Sequence, residues 1–545
     1  MITPPTFMRH ALRTARIIAR EERAWLLVLP TAAALLTGLL APNYATTYAT
    51  AANLARAVAI SRISKSLTAL YGELPEGADA VQLAVWELGA LTCLLLGIVV
   101  VLRAVAITRA QEDGGRSEML RGGGVGPVGE LVGVSLMLGA QCVLLGIGAG
   151  VGILALEGAG AADATAYGIA VAGTCALLAA VTVLLAQLTT DATGARGAGL
   201  AALAVLYAGH GAWAAQGWGW AGAWSPFALR SAIDPGGKNN WQPAAIAGAA
   251  LVILLATAAG AARRRDLGAG LIRIRPGRRR PLRVRGPMTL ALRRSSGQLL
   301  AWALAAAIAG VLTAMGENMV ELARQGAVDG GTFGSLLGGG DPGAGFLGYI
   351  GVLVAALACT QSVALTGRFA AEEGSGLVEA QRSTGTGPAR LLIGQCLVAL
   401  FAAALTLGAA ALVAGLVGHA LLDTTADYAL RLVAGQWPAA AACTGVTALL
   451  GGAWPRLRWL AWSPLLAGLG IAQLGPSLDL PQSMIDAGLF AQAGDPTMVW
   501  LVLVGATGTM AGAVVAHRRD LHPAIGRQPA GRGLQSAFAY ARLRR

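Results

Sequence analysis

Residues 81–106 read VQLAVWELGALTCLLLGIVVVLRAVA. A helix needs about 20 mostly apolar residues to cross a bilayer, and this run has that length. Its two charged residues, Glu87 and Arg103, sit toward the ends. One such run can hide inside a soluble protein, but a series of them cannot. Runs of the same kind recur at roughly 24–42, 130–156, 165–189, 197–215 and 241–262. Six more follow at 298–316, 346–366, 391–417, 430–452, 457–475 and 498–516. The expected fold is therefore an all-α polytopic membrane protein with about twelve transmembrane helices.

Composition agrees with that reading. Of 545 residues, 55% are hydrophobic and 13% charged, against about 25% charged in ordinary soluble domains. The mean hydropathy is +0.61. Such a chain is neither disordered nor a soluble globule. The six cysteines all lie inside apolar runs and form no CxxC or Cys/His cluster. They read as small buried hydrophobes, with no metal site expected.

The charges set the orientation. Lys+Arg is 41 and Asp+Glu is 28, for a net +13. Arg9, Arg13, Arg16, Arg20 and Arg23 precede the first span, and 263–294 holds twelve Arg against the single acid Asp266. The tail adds Arg518, Arg519, Arg527, Arg532, Arg542, Arg544 and Arg545. Cytoplasmic loops carry excess Arg and Lys, so all three segments, and both termini, are expected on the cytoplasmic face of the cell membrane. Topology accounts for these clusters, and nucleic acid is not an expected partner. The opposite loops are acidic or neutral: 317–345 carries Glu317, Glu321, Asp329 and Asp341 against Arg324, and 476–497 carries Asp479, Asp486 and Asp495. The N-terminal apolar run is long for a signal peptide, and Ala41-Pro42 is a poor cleavage context, so it reads as an uncleaved first helix. In the outer segment 43–80, the run from Ala52 to Ile60, continued by Ile63 and Leu67, has the spacing of an amphipathic helix.

Lysine is scarce, with only Lys65 and Lys238. A phosphate-binding loop needs G-x-x-x-x-G-K-[ST]. Lys238 is followed by Asn239, and Ala232 stands at the first glycine position. The chain itself has no such loop. If ATP drives it, another chain binds the nucleotide. No catalytic triad or nucleophile elbow is present either.

An internal repeat is the most informative feature. Residues 112–127 read EDGGRSEMLRGGGVGP and 373–388 read EGSGLVEAQRSTGTGP. At a constant offset of 261 residues the pairs Glu112/Glu373, Gly115/Gly376, Glu118/Glu379, Arg121/Arg382, Gly124/Gly385, Gly126/Gly387 and Pro127/Pro388 are identical. A second echo matches Arg264-Arg265-Asp266-Leu267 with Arg518-Arg519-Asp520-Leu521. The expected organisation is two pseudo-symmetric six-helix halves, 1–262 and 295–516, with a basic linker at 263–294 and a basic tail at 517–545. Each acidic motif lies between the second and third helix of its half, on the basic, cytoplasmic side. Glu112 and Arg116, four apart, are expected to support a helical turn. Duplicated acids suit a basic groove on a soluble partner, the alternative being a plain solvated loop.

The run Glu372-Glu373-x-x-Gly376-x-x-Glu379 resembles the E-E-x-x-G-x-x-E coupling-helix signature of ABC-2 type exporter permeases. The fused, twelve-span branch of actinobacterial exporters of polyketide antibiotics, the tetronasin-export-like permeases, is the most similar. The run at 264–271 and Leu480-Pro481 resemble that branch too. The first copy departs from the pattern, with Asp113 for the second Glu and Arg116-Ser117 inside it. The resemblance implies a separate ABC ATPase, in two copies, which binds ATP and Mg while this chain binds no cofactor. It implies a permease subunit, itself no enzyme, that exports an amphiphilic or drug-like compound. The implied ATPase-coupling residues are Glu112, Asp113, Glu118, Arg121, Glu372, Glu373, Glu379 and Arg382.

Ionisable and aromatic residues inside the spans are candidates for a substrate path. They are Glu87, Tyr207 and His210, with Trp224 of the cluster Trp218, Trp220 and Trp224. Pairing between helices and anchoring at the membrane interface are the alternative roles. A secondary transporter of the major-facilitator kind shares the two-half layout. Its loop motif G-x-x-x-D-R-x-G-R-R is basic, whereas the motif here is acidic.

Overall fold

The computed structural model describes residues 6–48, 50–63, 67–68, 71–218, 224–271, 286–311, 342–374, 376–421, 426–474, 480–490 and 498–519. The acids of 317–341, Asp479, Asp495, Trp220, most of the basic linker and the tail beyond Arg519 lie outside them. Every regular element among the described residues is helical. The chain divides into two compact units whose main boundary falls between 278 and 279, within the basic stretch 263–294.

The first unit opens with α1 (Thr6–Glu21), α2 (Arg23–Leu40), α3 (Pro42–Thr47) and α4 (Ala51–Ile63). Helix α1 is not anticipated above. Its Ala11, Thr14 and Ile18 are buried, while Arg9, Arg13, Arg16 and Arg20 are exposed, the three-to-four-residue rhythm of a helix with one packed face. In α4, Ala57, Val58 and Ser61 are buried and Ala55, Arg56, Ala59 and Arg62 exposed; one face packs, but with alanines on the exposed side and Ser61 on the buried one the helix is not the amphipathic one its spacing suggests.

Helix α5 (Ala80–Ala106) follows, with short α6 (Arg109–Asp113) and α7 (Arg116–Gly122), then α8 (Pro127–Ile153) and α9 (Ala161–Leu188). Asp79 starts α5 with a reciprocal cap: its carboxylate accepts from Gln82 N at 2.7 Å, and Asp79 N donates to Gln82 Oε1 at 3.3 Å. The 27 residues of α5 extend about 40 Å at ~1.5 Å per residue. Asp191 caps α10 (Ala192–Ala215) through Gly194 N at 2.8 Å. Short α11 (Ala228–Ile233) and α12 (Gln242–Arg264) complete the unit.

Helix α8 runs close to both α2 and α9 because glycine lines its crossings. A Cβ on Gly150 would stand 2.6 Å from the Ala164 carbonyl oxygen. At the α2 crossing Thr37 Oγ1 donates to its own-turn Ala33 O at 2.9 Å and lies 3.2 Å from Ala149 O. The donation within its own turn satisfies the buried hydroxyl, where an unpaired one is costly.

The second unit contains α13 (Pro287–Val311), α14 (Pro342–Thr366), α15 (Arg368–Gly374), α16 (Leu377–Arg382), α17 (Pro388–Leu421) and α18 (Ala426–Ala453). A 3₁₀ stretch over Pro455–Trp462, α19 (Ser463–Leu474), α20 (Gln482–Asp486) and α21 (Val499–Arg518) follow. Helices α18 and α21 meet backbone to backbone. A Cβ on Gly445 would stand 2.5 Å from Gly505 O, and one on Gly508 2.6 Å from Gly445 O. Small residues at such crossings let helices pack closely in lipid, where no hydrophobic force drives them together.

Eight helices among the described residues are long and apolar enough to cross a membrane, so the chain is an all-α polytopic membrane protein. The expected span at 457–475 differs. Pro455, Arg456 and Arg458 lie in the 3₁₀ stretch, and the α-helix after it has 12 residues, about 18 Å and too short to span alone. The six cysteines are buried thiols.

Candidate functional site: the duplicated acidic segment

In both units the acidic motif forms two short helices with a glycine between them. The junction is Gly115 at φ 75° in the first and Gly376 at φ 77° in the second. L-residues rarely adopt this left-handed conformation, and glycine adopts it freely. Gly115 N donates to Glu112 O at 2.9 Å, and Gly376 N to Glu373 O at 3.0 Å. The second helix ends the same way each time. Gly124 (φ 85°) donates to Arg121 O at 2.9 Å, and Gly385 (φ 83°) to Arg382 O at 2.9 Å. Pro127 and Pro388 then begin the next long helix, where a missing N–H costs nothing. Backbone geometry thus accounts for the repeated glycines at 115/376 and 124/385 and for the prolines.

The acidic identities divide into two kinds. Glu112 is buried in ion pairs, 2.8 Å from Arg109 and 2.6 Å from Arg265, and it accepts from Gly268 N at 2.7 Å. Its repeat mate Glu373 is buried 2.8 Å from Arg519. Arg265 and Arg519 are the second arginines of the Arg-Arg-Asp-Leu echo, so the two repeated motifs meet in space within each unit. The other pair, Glu118 and Glu379, is exposed and forms no ion pair among the described residues.

The remaining motif residues are held within the chain, except Arg382, which is exposed. Asp113 accepts from Ala192 N, the first residue of α10, at 2.7 Å. Arg116 does not pair with Glu112, as its spacing suggests; it reaches Glu21 at the end of α1, at 2.6 Å through its second amino group. Gly115 breaks the helix between them, so they never share a face. Glu372 pairs with Arg294 of α13 at 2.7 Å, and Arg121 lies 3.6 Å from Glu130. The ion pairs also fix the register of the first copy. Glu112 is the counterpart of Glu373, and Gln111 stands opposite Glu372, which corrects the assignment of Asp113 to the second Glu position.

The space among Arg109, Glu112, Arg121, Glu130 and Arg265 is about 40 Å³. That admits water and falls far below the ~300 Å³ a drug-sized ligand needs. Among the described residues no group of His, Cys, Asp or Glu is placed to hold a metal ion.

The substrate-path candidates lie at the other end of α5. Glu87 lies beside Tyr44 of α3. Tyr207 stacks edge-on against Phe227, centroids 5.1 Å apart. His210 is buried against Gly72, which itself accepts from Trp86 Nε1 at 2.8 Å. Trp224 is 84% exposed and does not join them. Arg230, not singled out in the sequence, is the central residue there. It is 4% exposed, donates to Val85 O at 3.1 Å and to Tyr71 O, and lies beside Gly89. Asp163 holds the loop after it, accepting from Asn239 Nδ2 at 2.8 Å and Gly236 N at 3.2 Å. A lone Arg between Trp-rich and Gly-rich stretches gives no sequence sign of such burial.

Comparisons with known proteins find similarity to efflux permeases. Residues 284–518 match a family described as "Multidrug efflux system permease Rv1217c, C-terminal domain". The chain is 29% identical over 494 residues, 86% of its own length and 87% of the relative's, to the multidrug efflux system permease protein Rv1217c of Mycobacterium tuberculosis. The similarity thus runs through both units and both copies of the acidic segment.

Proposed function

We propose that this chain is the membrane permease subunit of an ATP-driven exporter of amphiphilic, drug-like compounds. Its similarity over most of its length to a multidrug efflux permease supports this. The observation that carries it is the pair Glu118 and Glu379. Each sits in the first turn of a short helix framed by the same two left-handed glycines, exposed and without an ion pair among the described residues. An acid kept twice at one structural position, exposed and with no ion pair to another described residue, is suited to a partner. That partner is an ABC ATPase, two copies serving the two units, with ATP and Mg on the ATPase and no catalytic site on this chain. Basic segments and both termini then face the cytoplasm. Twelve spans and the tetronasin-export-like branch of ABC-2 permeases belong to the same reading.

Transport in inverted membrane vesicles tests it. Uptake of a lipophilic dye should require ATP and survive a protonophore. Uptake that ignores ATP and collapses with the proton gradient would instead establish a major-facilitator-type carrier.

A further inference from the structure

The two ion pairs between repeated motifs share more than their residues. Helix α12 ends at Arg264 and α21 at Arg518, and the next residue is extended each time: Arg265 at φ −102°, ψ 146° and Arg519 at φ −82°, ψ 136°. Arg264 and Arg518 are exposed, while Arg265 and Arg519 turn back against the acidic segment. Both glutamate side chains are 6% exposed. The first element of each unit is tied to the same segment, with the charges reversed. In the first unit Arg116 of the segment meets Glu21 of α1; in the second Glu372 of the segment meets Arg294 of α13. Each acidic segment is thus braced on one side by the opening helix of its unit and on the other by the end of its last long helix.

We propose that Arg265 and Arg519 are positioning residues that lock each acidic segment to the end of the last helix of its unit. Displacement of the segment by a docked ATPase is then delivered to that helix instead of being absorbed by the glycine-rich loop. The segment carries Gly115, Gly122, Gly123 and Gly124 in the first copy, and glycine constrains the backbone least, so a segment without the lock would bend where it meets the partner. The inference rests on the exporter reading. It adds which side chains carry motion from the docking face into the membrane. Reversal of the brace to the opening helix leaves the Glu–Arg lock as the ion pair both units share, and an ion pair kept in one geometry while its neighbour is reversed answers to a common mechanical demand.

The second unit offers the cleaner test, because Glu373 has one ion-pair partner among the described residues while Glu112 has two. The E373Q/R519Q variant removes the lock without stranding a buried charge, and the E373R/R519E exchange rebuilds it reversed. Each is purified with its ATPase and reconstituted. Dye moved per ATP hydrolysed, bound ATPase per chain and melting temperature are then measured. The inference predicts wild-type ATPase binding and melting for E373Q/R519Q, with dye moved per ATP reduced about tenfold, within the usual range of coupling between sites. The exchange should restore most of the loss. Unchanged dye per ATP in E373Q/R519Q would overturn the lock, as would an exchange variant no better than it. A wild-type chain that binds no ATPase and transports without ATP would overturn the exporter reading and the lock together, and is recognised in the wild-type control.

Discussion

Ser117 of the first acidic segment hydrogen-bonds to Glu130 of α8, and the residues that take their places in the second copy are Val378 and Leu391, both buried. The same short helix is therefore seated on the same long helix by polar contacts in one unit and by apolar contacts in the other. Arg121 completes the polar seat at 3.6 Å from Glu130, and its counterpart Arg382, with no acid at position 391, is exposed.

The two seats should respond oppositely to substitution. Leu391→Ala removes a buried side chain from the cluster with Phe369, Val378 and Leu392 and should cost ~2–4 kcal/mol. The S117V/E130L double variant gives the first unit the seat of the second and should melt at or above the wild-type temperature, because a well-packed apolar contact commonly equals or exceeds a buried polar one. Thermal melting in detergent reads both. A double variant that melts well below wild type would show that the polar seat is required.

Gly115 and Gly376 hold the left-handed turn that starts each exposed helix. Gly115→Ala or Gly376→Ala should cost ~1–2 kcal/mol and tilt the helix carrying Glu118 or Glu379. Gly122 has a negative φ and open space where its Cβ would be, so Gly122→Ala should be neutral or mildly stabilising. Melting temperatures of the three single variants, with protease cleavage near 115–124 as a local probe, decide this. An equal effect at 115 and 122 would contradict the backbone explanation of the repeat.

The α18–α21 crossing depends on the absence of side chains. A Cβ on Gly512 would meet the backbone of Ala448 and Leu449, so Gly512→Val should prevent the second unit from assembling and lower the yield of monodisperse protein several-fold. Gly408→Ala on α17, where a Cβ meets nothing, is the control and should be tolerated. Size-exclusion profiles of the two variants give the answer. Monodisperse Gly512→Val would place the crossing elsewhere.

Much of this was legible in the sequence because the signals were physical and repeated. The apolar runs had no other way to be satisfied, and the offset of 261 residues located the acidic segments before any geometry was known. Burial of charge was not legible. Glu112 and Arg265 lie 153 residues apart, in stretches that read as solvated loops, and each motif was found without the other as its partner. Arg230 was missed for the same reason. Helix α1 was missed because its arginines were counted as topology signals, although their spacing at 9, 13, 16 and 20 also marks one face of a helix. The 3₁₀ stretch of Pro455–Trp462 at the start of the span expected at 457–475 was not legible, because hydropathy averages across it.

The central claim is that Glu118 and Glu379 are the docking acids of a two-site ATPase interface. It is tested most directly by purifying the wild-type chain and the E118R/E379R variant through a tag on this chain, each co-expressed with the ATPase, and measuring ATPase subunits per chain. The account predicts a ratio near two for the wild type and one reduced about fivefold or more for the double reversal, with the melting temperature of the membrane chain unchanged because both side chains are exposed. A double reversal that still carries a full complement of active ATPase would contradict it.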